Sequence, residues 1–103
     1  MKTKHLVLSA AALTVLFHQP LSANEQLEAG REVARVHCQA CHGENGISTT
    51  AIWPNLAGQK QQYLVKQLND FASRKRNDAV MSPIAERLSA ADIAAVAAFY
   101  SNL

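Results

Sequence analysis

Both cysteines of this 103-residue chain lie in one seven-residue stretch, HCQACHG, at residues 37–43. A disulfide between Cys38 and Cys41 would close a very small loop and would therefore stabilise little of a fold. His42 follows the second cysteine directly. A chain of this length buries only a marginal core and commonly depends on disulfides, a metal or a large ligand. The chemistry of this stretch therefore decides what completes the core.

Residues 1–23 have the layout of a secretory signal peptide. Lys2 and Lys4 precede the apolar run LVLSAAALTVLF at residues 6–17, and a short polar stretch then ends at Ala23. A membrane-spanning helix needs about 20 apolar residues, which this run does not reach. We therefore predict a signal peptide at 1–23 and one domain at 24–103, with export to the periplasm. A buried first helix or an uncleaved anchor is the alternative.

The charge balance changes when the predicted signal peptide is set aside. Ten Lys and Arg, less Lys2 and Lys4, leave eight positive residues at 24–103, and all eight Asp and Glu lie there too, so the formal charge is 8 − 8 = 0. A neutral domain has no global electrostatic footprint for nucleic acid. No later run is apolar enough to span a membrane, so the exported product is expected not to be membrane-spanning.

The domain is predicted to be all-α, with three main helices joined by two long loops. Helical spacing of apolar residues occurs at 25–36, at 59–71, and after the capping-box-like pair Ser89 and Asp92. Residues 43–58 are rich in Gly, Ser, Thr and Asn and predict an irregular loop. Residues 73–88 contain Pro83 and predict a mostly extended loop with at most one short turn. Loops of this length in so small a domain usually wrap around something.

Three chemistries can use two cysteines at this spacing. A redox dithiol normally begins a helix after a β-strand, and no strand is predicted here. A structural zinc site needs four ligands, and residues 24–103 offer two cysteines and two histidines within six residues, with no second pair. A disulfide between Cys38 and Cys41 remains allowed in an exported protein, but it leaves His42 without a role.

The pattern C-x-x-C-H uses every one of these residues, because it is the attachment signature of c-type haem. The two thiols add to the two vinyl groups of the porphyrin, and His42 becomes the proximal iron ligand. One covalently bound haem c is therefore the predicted cofactor, with Cys38 and Cys41 as its anchors. Burial of a large apolar ligand would also complete the core. His37 lies close to the attached edge and is a poor candidate for the second axial ligand.

Met81 is the predicted distal ligand. His5, His18 and Met1 would leave with the signal peptide, so Met81 is the only methionine at 24–103. It lies 39 residues after His42, in the second loop, directly before Ser82 and Pro83. A lone methionine often only fills gaps in a core. Here no histidine remains for the far side of the iron, and the loop is long enough to reach across the porphyrin.

Over nearly all of residues 24–103 the chain resembles the bacterial class I cytochromes c. The stretches that carry the resemblance are AGREVARVHCQACHG, WPNLAGQ, QYLVKQL, RND followed by MSPIA, and LSAADIAAVAAFYSNL. The chain is similar to the small single-haem electron carriers and to one half of the two-haem periplasmic cytochromes. The resemblance implies a fold of three main helices and long loops around one haem, with the first and last helices crossing.

The same resemblance assigns roles to further residues. Gly30 matches the small residue at the helix crossing, and Tyr100 matches the aromatic residue that packs on it. Pro54 matches the proline whose carbonyl oxygen accepts a hydrogen bond from the proximal histidine. Trp53 and Tyr63 match residues that pack in the haem pocket. The chain departs from the pattern at 73–76, Ser-Arg-Lys-Arg, where similar proteins often have glycine; the role of this basic cluster stays open.

Ligation by His42 and Met81 would fill both axial positions of the iron, which favours one-electron transfer over catalysis. We therefore expect a soluble exported one-electron carrier, not an enzyme, that docks transiently with redox protein donors and acceptors of a respiratory or periplasmic chain. Two alternatives remain. One is a catalytic or gas-sensing haem protein in which Met81 does not bind the iron or is easily displaced from it. The other is a haem-bearing subunit held permanently by a larger enzyme.

Overall fold

The computed structural model describes residues 1–103 and contains five α-helices and no β-strand. The helices are α1 (Ala23–His37), α2 (Gln39–His42), α3 (Gln61–Ala72), α4 (Met81–Glu86) and α5 (Ala90–Ser101). Residues 1–22 form no helix. None of the five helices has the length and apolar character needed to cross a membrane. The all-α prediction is confirmed, with two short helices added to the three expected ones.

Reciprocal capping boxes begin both α1 and α5. At α1, the Ser22 hydroxyl accepts a hydrogen bond from the Glu25 N–H at 3.2 Å, and the Ser22 N–H donates to Glu25 Oε2 at 2.8 Å. At α5, Ser89 and Asp92 make the same pair of bonds at 3.0 and 2.9 Å. Each pair satisfies backbone N–H groups that have no partner within the helix. The predicted start of the last helix is therefore confirmed.

The two long helices cross at Gly30, where only a residue without a side chain fits. A Cβ at this position would lie 2.1 Å from the Ala95 carbonyl oxygen and 2.7 Å from the Phe99 Cβ. The backbones of α1 and α5 can therefore approach closely because Gly30 has no Cβ. The aromatic residue at the crossing is Phe99, so the assignment of Tyr100 to this contact is wrong. Tyr100, one residue further along α5, points into a different part of the core.

The core surrounds the second half of α5, which is buried on all of its faces. Ile93 and the run from Ala95 to Tyr100 are all buried, and their side chains include the least exposed large ones in the chain. Ala34 of α1 and Leu64 of α3 join Val96, Ala97, Phe99 and Tyr100 in one cluster. A helix that is apolar all round belongs at the centre of a domain. Helices α1 and α3 therefore pack on α5, while α4 packs against α3 and α2 contacts α1.

The loop predicted at 73–88 contains more than the one short turn expected, because residues Met81–Glu86 form helix α4. The Asp78 carboxylate holds the start of this helix: its Oδ1 accepts hydrogen bonds from the N–H groups of Val80 at 2.9 Å and Met81 at 2.7 Å. The buried Ser82 hydroxyl in turn accepts from the Asp78 N–H at 3.1 Å. Pro83 lies in the first turn, where a missing N–H costs no helical hydrogen bond. A proline is therefore compatible with this short helix.

The basic cluster after α3 is held by contacts within the chain. Arg74 has a φ of 61°, the left-handed conformation that glycine favours at helix ends. Its guanidinium contacts Glu86 of α4 through Nε at 2.9 Å. Arg76 lies over the Phe71 ring, 4.4 Å from the centroid, and donates to Gln67 Oε1 at 2.7 Å. Arg76 thus joins the turn to α3, and Arg74 joins it to α4. The Lys75 side chain makes no such contact with either helix.

Candidate haem site

The cysteines and His42 occupy one helical turn at the junction of α1 and α2. Cys38 ends α1, where its N–H donates to the Ala34 carbonyl oxygen at 2.9 Å. The Cys38 carbonyl oxygen then accepts from the N–H groups of Cys41 at 3.2 Å and His42 at 3.0 Å. Both thiols are free and half-buried. Local helical geometry alone therefore brings the C-x-x-C-H residues together.

His42 is buried, with 6% of its surface exposed. Its Nδ1 lies 2.8 Å from the Pro54 carbonyl oxygen. A carbonyl oxygen can only accept, so Nδ1–H is the donor and the proton of the neutral ring lies on that nitrogen. The lone pair is then on Nε2, the nitrogen that remains free to bind a metal ion. The contact expected from the resemblance is present in the structure.

Pro54 reaches His42 because the loop between α2 and α3 folds back on itself. The Gly46 carbonyl oxygen accepts hydrogen bonds from the N–H groups of Leu56 at 2.8 Å and Ala57 at 3.0 Å. Gly46 has a φ of +73°, and a Cβ there would lie 2.8 Å from the Ala57 nitrogen. This close approach requires glycine. The loop therefore positions the Pro54 carbonyl through backbone contacts that no sequence motif predicts.

Met81 is the first residue of α4 and is half-buried. Its N–H donates to Asp78 Oδ1 at 2.7 Å, so the backbone of the predicted distal ligand is held by a helix cap. The pKa of the Asp78 carboxyl is lowered, first by the hydrogen bond from the Met81 N–H and then by the one from Val80. Sequence reasoning missed Asp78, although an Asp two to three residues before a helical turn is a recognisable cap.

Cys38 and Tyr100 form a polar pair inside an otherwise apolar region. The pKa of the Cys38 thiol is raised to about 11, mainly by burial, and contact with Tyr100 acts in the opposite direction. The pKa of Tyr100 is also raised, by burial first and then by Cys38. The two groups are neighbours, yet the buried Tyr100 Oη has no partner within hydrogen-bond geometry. An unsatisfied buried hydroxyl costs about 1–3 kcal/mol.

The structure disfavours two of the alternatives for the cysteines. No group of three or more Cys, His, Asp or Glu residues is placed to hold a metal ion, which a structural zinc site would need. The redox-dithiol alternative needs a β-strand before the first cysteine, and Cys38 instead follows the 15-residue helix α1.

The residues present fit a covalently bound haem. Two free thiols lie one turn apart beside a buried histidine whose Nε2 is available. Large apolar side chains are exposed in the segments next to Pro54 and Met81, the two segments that are expected to contact the haem. They are Ile52, Trp53 and Val80, with exposed fractions of 79, 36 and 47%. Tyr63, the other residue assigned to the pocket, is 48% exposed.

Comparison with known proteins gives the family. Residues 25–99 match the family described as cytochrome C oxidase, cbb3-type, subunit III. Cytochrome c4 of Thiocapsa roseopersicina is 45% identical over 75 residues, which cover 73% of this chain and 38% of that protein. Cytochrome c-554(548) of Halomonas halodenitrificans is 44% identical over 68 residues, covering 63% and 82% respectively. The crystal structure of reduced cytochrome c4 from Pseudomonas stutzeri superimposes with a TM-score of 0.72 at 31% identity, covering 76% of this chain and 48% of that one.

The fold and the attachment signature together define a class I cytochrome c. The chain belongs to the cytochrome c family that its residues 25–99 match, and members of this class carry covalently bound haem c. Its relatives are electron carriers and in general not enzymes. The chain spans 38% of the Thiocapsa relative and about half of the solved cytochrome c4 structure. The activity and partners of those longer proteins therefore do not transfer to it directly.

Proposed function

We propose that this protein is an exported one-electron carrier with a single haem c, held by thioethers from Cys38 and Cys41 and ligated axially by His42 and Met81. The observation that carries the proposal is the buried His42, whose Nδ1–H is fixed on Pro54 while two free thiols lie within one helical turn. Each thiol adds its sulfur and its hydrogen across one vinyl C=C bond, so attachment changes no oxidation state.

When bound, haem c supplies an iron that alternates between the ferric and ferrous states. The residues of the chain keep the two iron ligands in place, so that the change of oxidation state alters the structure little. Pro54 prevents rotation of the His42 ring, so that Nε2 keeps one orientation. The cap at Asp78 holds the Met81 backbone in the same way. A thioether ligand favours the ferrous state and raises the reduction potential relative to a second histidine.

Three measurements on the full precursor expressed with a haem-attachment system test the proposal. The denatured mature protein should carry the mass of one haem. The oxidised protein should show the near-infrared absorption band of methionine bound to ferric iron. The reduced protein should bind carbon monoxide only weakly, because both axial positions are filled. A protein without the band that binds carbon monoxide readily when reduced would instead be an open-site haem protein, catalytic or gas-sensing.

Export is the part of the proposal that concerns residues 1–23. Residues 1–22 are exposed and belong to no helix, so removal of 1–23 would cost the fold only Ala23, the first residue of α1, and the contacts of Ser22 that begin this helix. The processed chain would begin at Asn24, one residue inside α1. Amino-terminal sequencing of haem-containing protein from the periplasmic fraction should find this start. A haem protein that retains Met1 in the cytoplasmic fraction would contradict the export assignment.

The description of the matched family favours a second candidate, a haem domain held within a larger complex. A free carrier should elute at the size of one small domain when native extract is separated by gel filtration and followed at the haem absorption. Elution of all the haem signal with a large complex would replace the carrier assignment with the second candidate.

A further inference from the structure

Tyr100 carries a buried hydroxyl that nothing in the chain satisfies. The residue is 2% exposed, and its Oη is the only buried side-chain nitrogen or oxygen atom without a hydrogen-bond partner. Buried polar groups are nearly always paired, so such an atom calls for an explanation. Phenylalanine would fill the same volume without the unsatisfied group, and the neighbouring Phe99 shows that this helix accepts one.

The Tyr100 ring has little freedom to turn the hydroxyl elsewhere. A Cβ at Gly46 would lie 3.0 Å from the Tyr100 Cδ1, so the loop backbone packs directly on one edge of the ring. The Phe99 ring lies 5.2 Å away, centroid to centroid. The Tyr100 carbonyl oxygen accepts hydrogen bonds from the N–H groups of Gly58 at 2.8 Å and Leu103 at 3.2 Å. Backbone and ring are therefore both held.

Cys38 is the polar neighbour of this hydroxyl. It packs against the core cluster that contains Tyr100, and each of the two groups shifts the pKa of the other. As a free thiol, Cys38 is protonated at neutral pH, so its sulfur carries its own weak donor. A thiol sulfur also accepts weakly, whereas a thioether sulfur has no hydrogen and can only accept. Attachment of haem therefore removes the competing donor and leaves Cys38 as an acceptor for the tyrosine O–H.

We infer that Tyr100 is a positioning residue for the haem, whose buried hydroxyl donates a hydrogen bond to the Cys38 sulfur once that sulfur is a thioether. This inference rests on the proposed attachment at Cys38. The hydrogen bond holds one anchor of the cofactor against α5. It also draws electron density from the sulfur, and hydrogen bonds to sulfur near a redox centre favour its reduced state.

The central variant is Tyr100→Phe, and Ser101→Ala is its control. Ser101 follows Tyr100 on α5, and its hydroxyl donates to the Ala98 carbonyl oxygen at 3.0 Å, so this variant removes a hydroxyl that already has a partner. Tyr100→Phe should lower the equilibrium constant for reduction about threefold, near the low end of what one hydrogen bond contributes. This corresponds to about 28 mV, at 59 mV for each tenfold change in a one-electron couple. The carbon–sulfur stretching band in the resonance Raman spectrum should move to higher frequency. Ser101→Ala should leave both readouts unchanged.

The same substitution in a Cys38→Ala background completes a double-mutant cycle. There the haem keeps only the Cys41 thioether, so Tyr100→Phe should no longer alter the potential. An equal shift in both backgrounds would overturn the inference, because the hydroxyl would then act on another group. If the Cys38→Ala protein fails to mature, the Raman comparison of Tyr100→Phe with the parent protein decides.

Two further outcomes separate this inference from the proposed function. Covalent haem together with an unchanged potential and an unchanged carbon–sulfur band in Tyr100→Phe would overturn the inference alone, even if the variant is less stable. Absence of covalent haem from the parent protein would overturn both the attachment at Cys38 and the role of Tyr100. Mass spectrometry of the denatured parent protein distinguishes these cases before any variant is made.

Discussion

Substitution of Gly30 by alanine tests whether the crossing of α1 and α5 holds this fold together. The new Cβ would lie 2.1 Å from the Ala95 carbonyl oxygen and 2.6 Å from its carbon, whereas ordinary contact begins at 3.4 Å. The helices must therefore separate by up to 3.4 − 2.1 = 1.3 Å at this point. The obstructing atoms belong to the backbone of a buried helix, so no side chain can turn away to make room.

The magnitude follows from two opposing terms. Overpacking of a well-packed core costs about 1–3 kcal/mol, and a backbone clash belongs at the upper end of that range. Alanine in place of glycine inside a helix stabilises the helix by about 1 kcal/mol. We therefore expect Gly30→Ala to lower the free energy of unfolding by about 2 kcal/mol, the difference between the two terms. For a domain of this size the midpoint of thermal unfolding should fall by about 8–16 °C.

Denaturant unfolding of the haem-loaded protein, followed by helical circular dichroism and by haem absorption, measures this change. Ala91→Gly is the control, because Ala91 is exposed on α5 and its replacement alters helix propensity without touching the crossing. The control should lose at most about 1 kcal/mol, the propensity difference in a helix interior, because Ala91 lies in the first turn of α5. A Gly30→Ala protein as stable as the parent, or more stable, would refute the argument from close packing.

Three further predictions concern the segment that carries the expected distal ligand. Met81→Ala should abolish the near-infrared band, lower the reduction potential and allow the reduced protein to bind carbon monoxide; unchanged spectra would exclude Met81 as the ligand. Because the folded-state pKa of Asp78 is lowered, its stabilisation of α4 is present above the unfolded pKa and lost as the pH falls through the folded one. The near-infrared band should therefore weaken on acidification of the parent protein. In Asp78→Asn, which keeps the accepting oxygen but does not titrate, the band should weaken less steeply. Identical pH titrations of the two proteins would contradict the role of Asp78. Ser82→Ala should lower the free energy of unfolding by about 1–2 kcal/mol, because the buried hydroxyl bonds to the Asp78 N–H and the Arg76 carbonyl oxygen; a fully stable variant in denaturant titration would show that water replaces it.

Much of this protein follows from the sequence because it depends on local spacing. A cysteine, two residues, a cysteine and a histidine meet on one helical turn whatever surrounds them. The pair Ser89 and Asp92 likewise starts α5 through contacts three residues apart. The resemblance to class I cytochromes c added the pairing of His42 with Pro54, a contact across 12 residues that spacing alone does not predict.

Other features depend on contacts between distant parts of the chain, and only the tertiary structure decides them. Helix α4 forms within the predicted loop because the Asp78 carboxylate accepts from the Met81 N–H and the Ser82 hydroxyl accepts from the Asp78 N–H. Pro83 falls in the first turn, where it interrupts no helical hydrogen bond. Phe99 rather than Tyr100 lies at the crossing, because a difference of one residue rotates a helical side chain by about 100°. That rotation also places the Tyr100 hydroxyl beside Cys38. Sequence spacing thus brings the haem-binding residues together, and the packing of α5 determines which groups surround them.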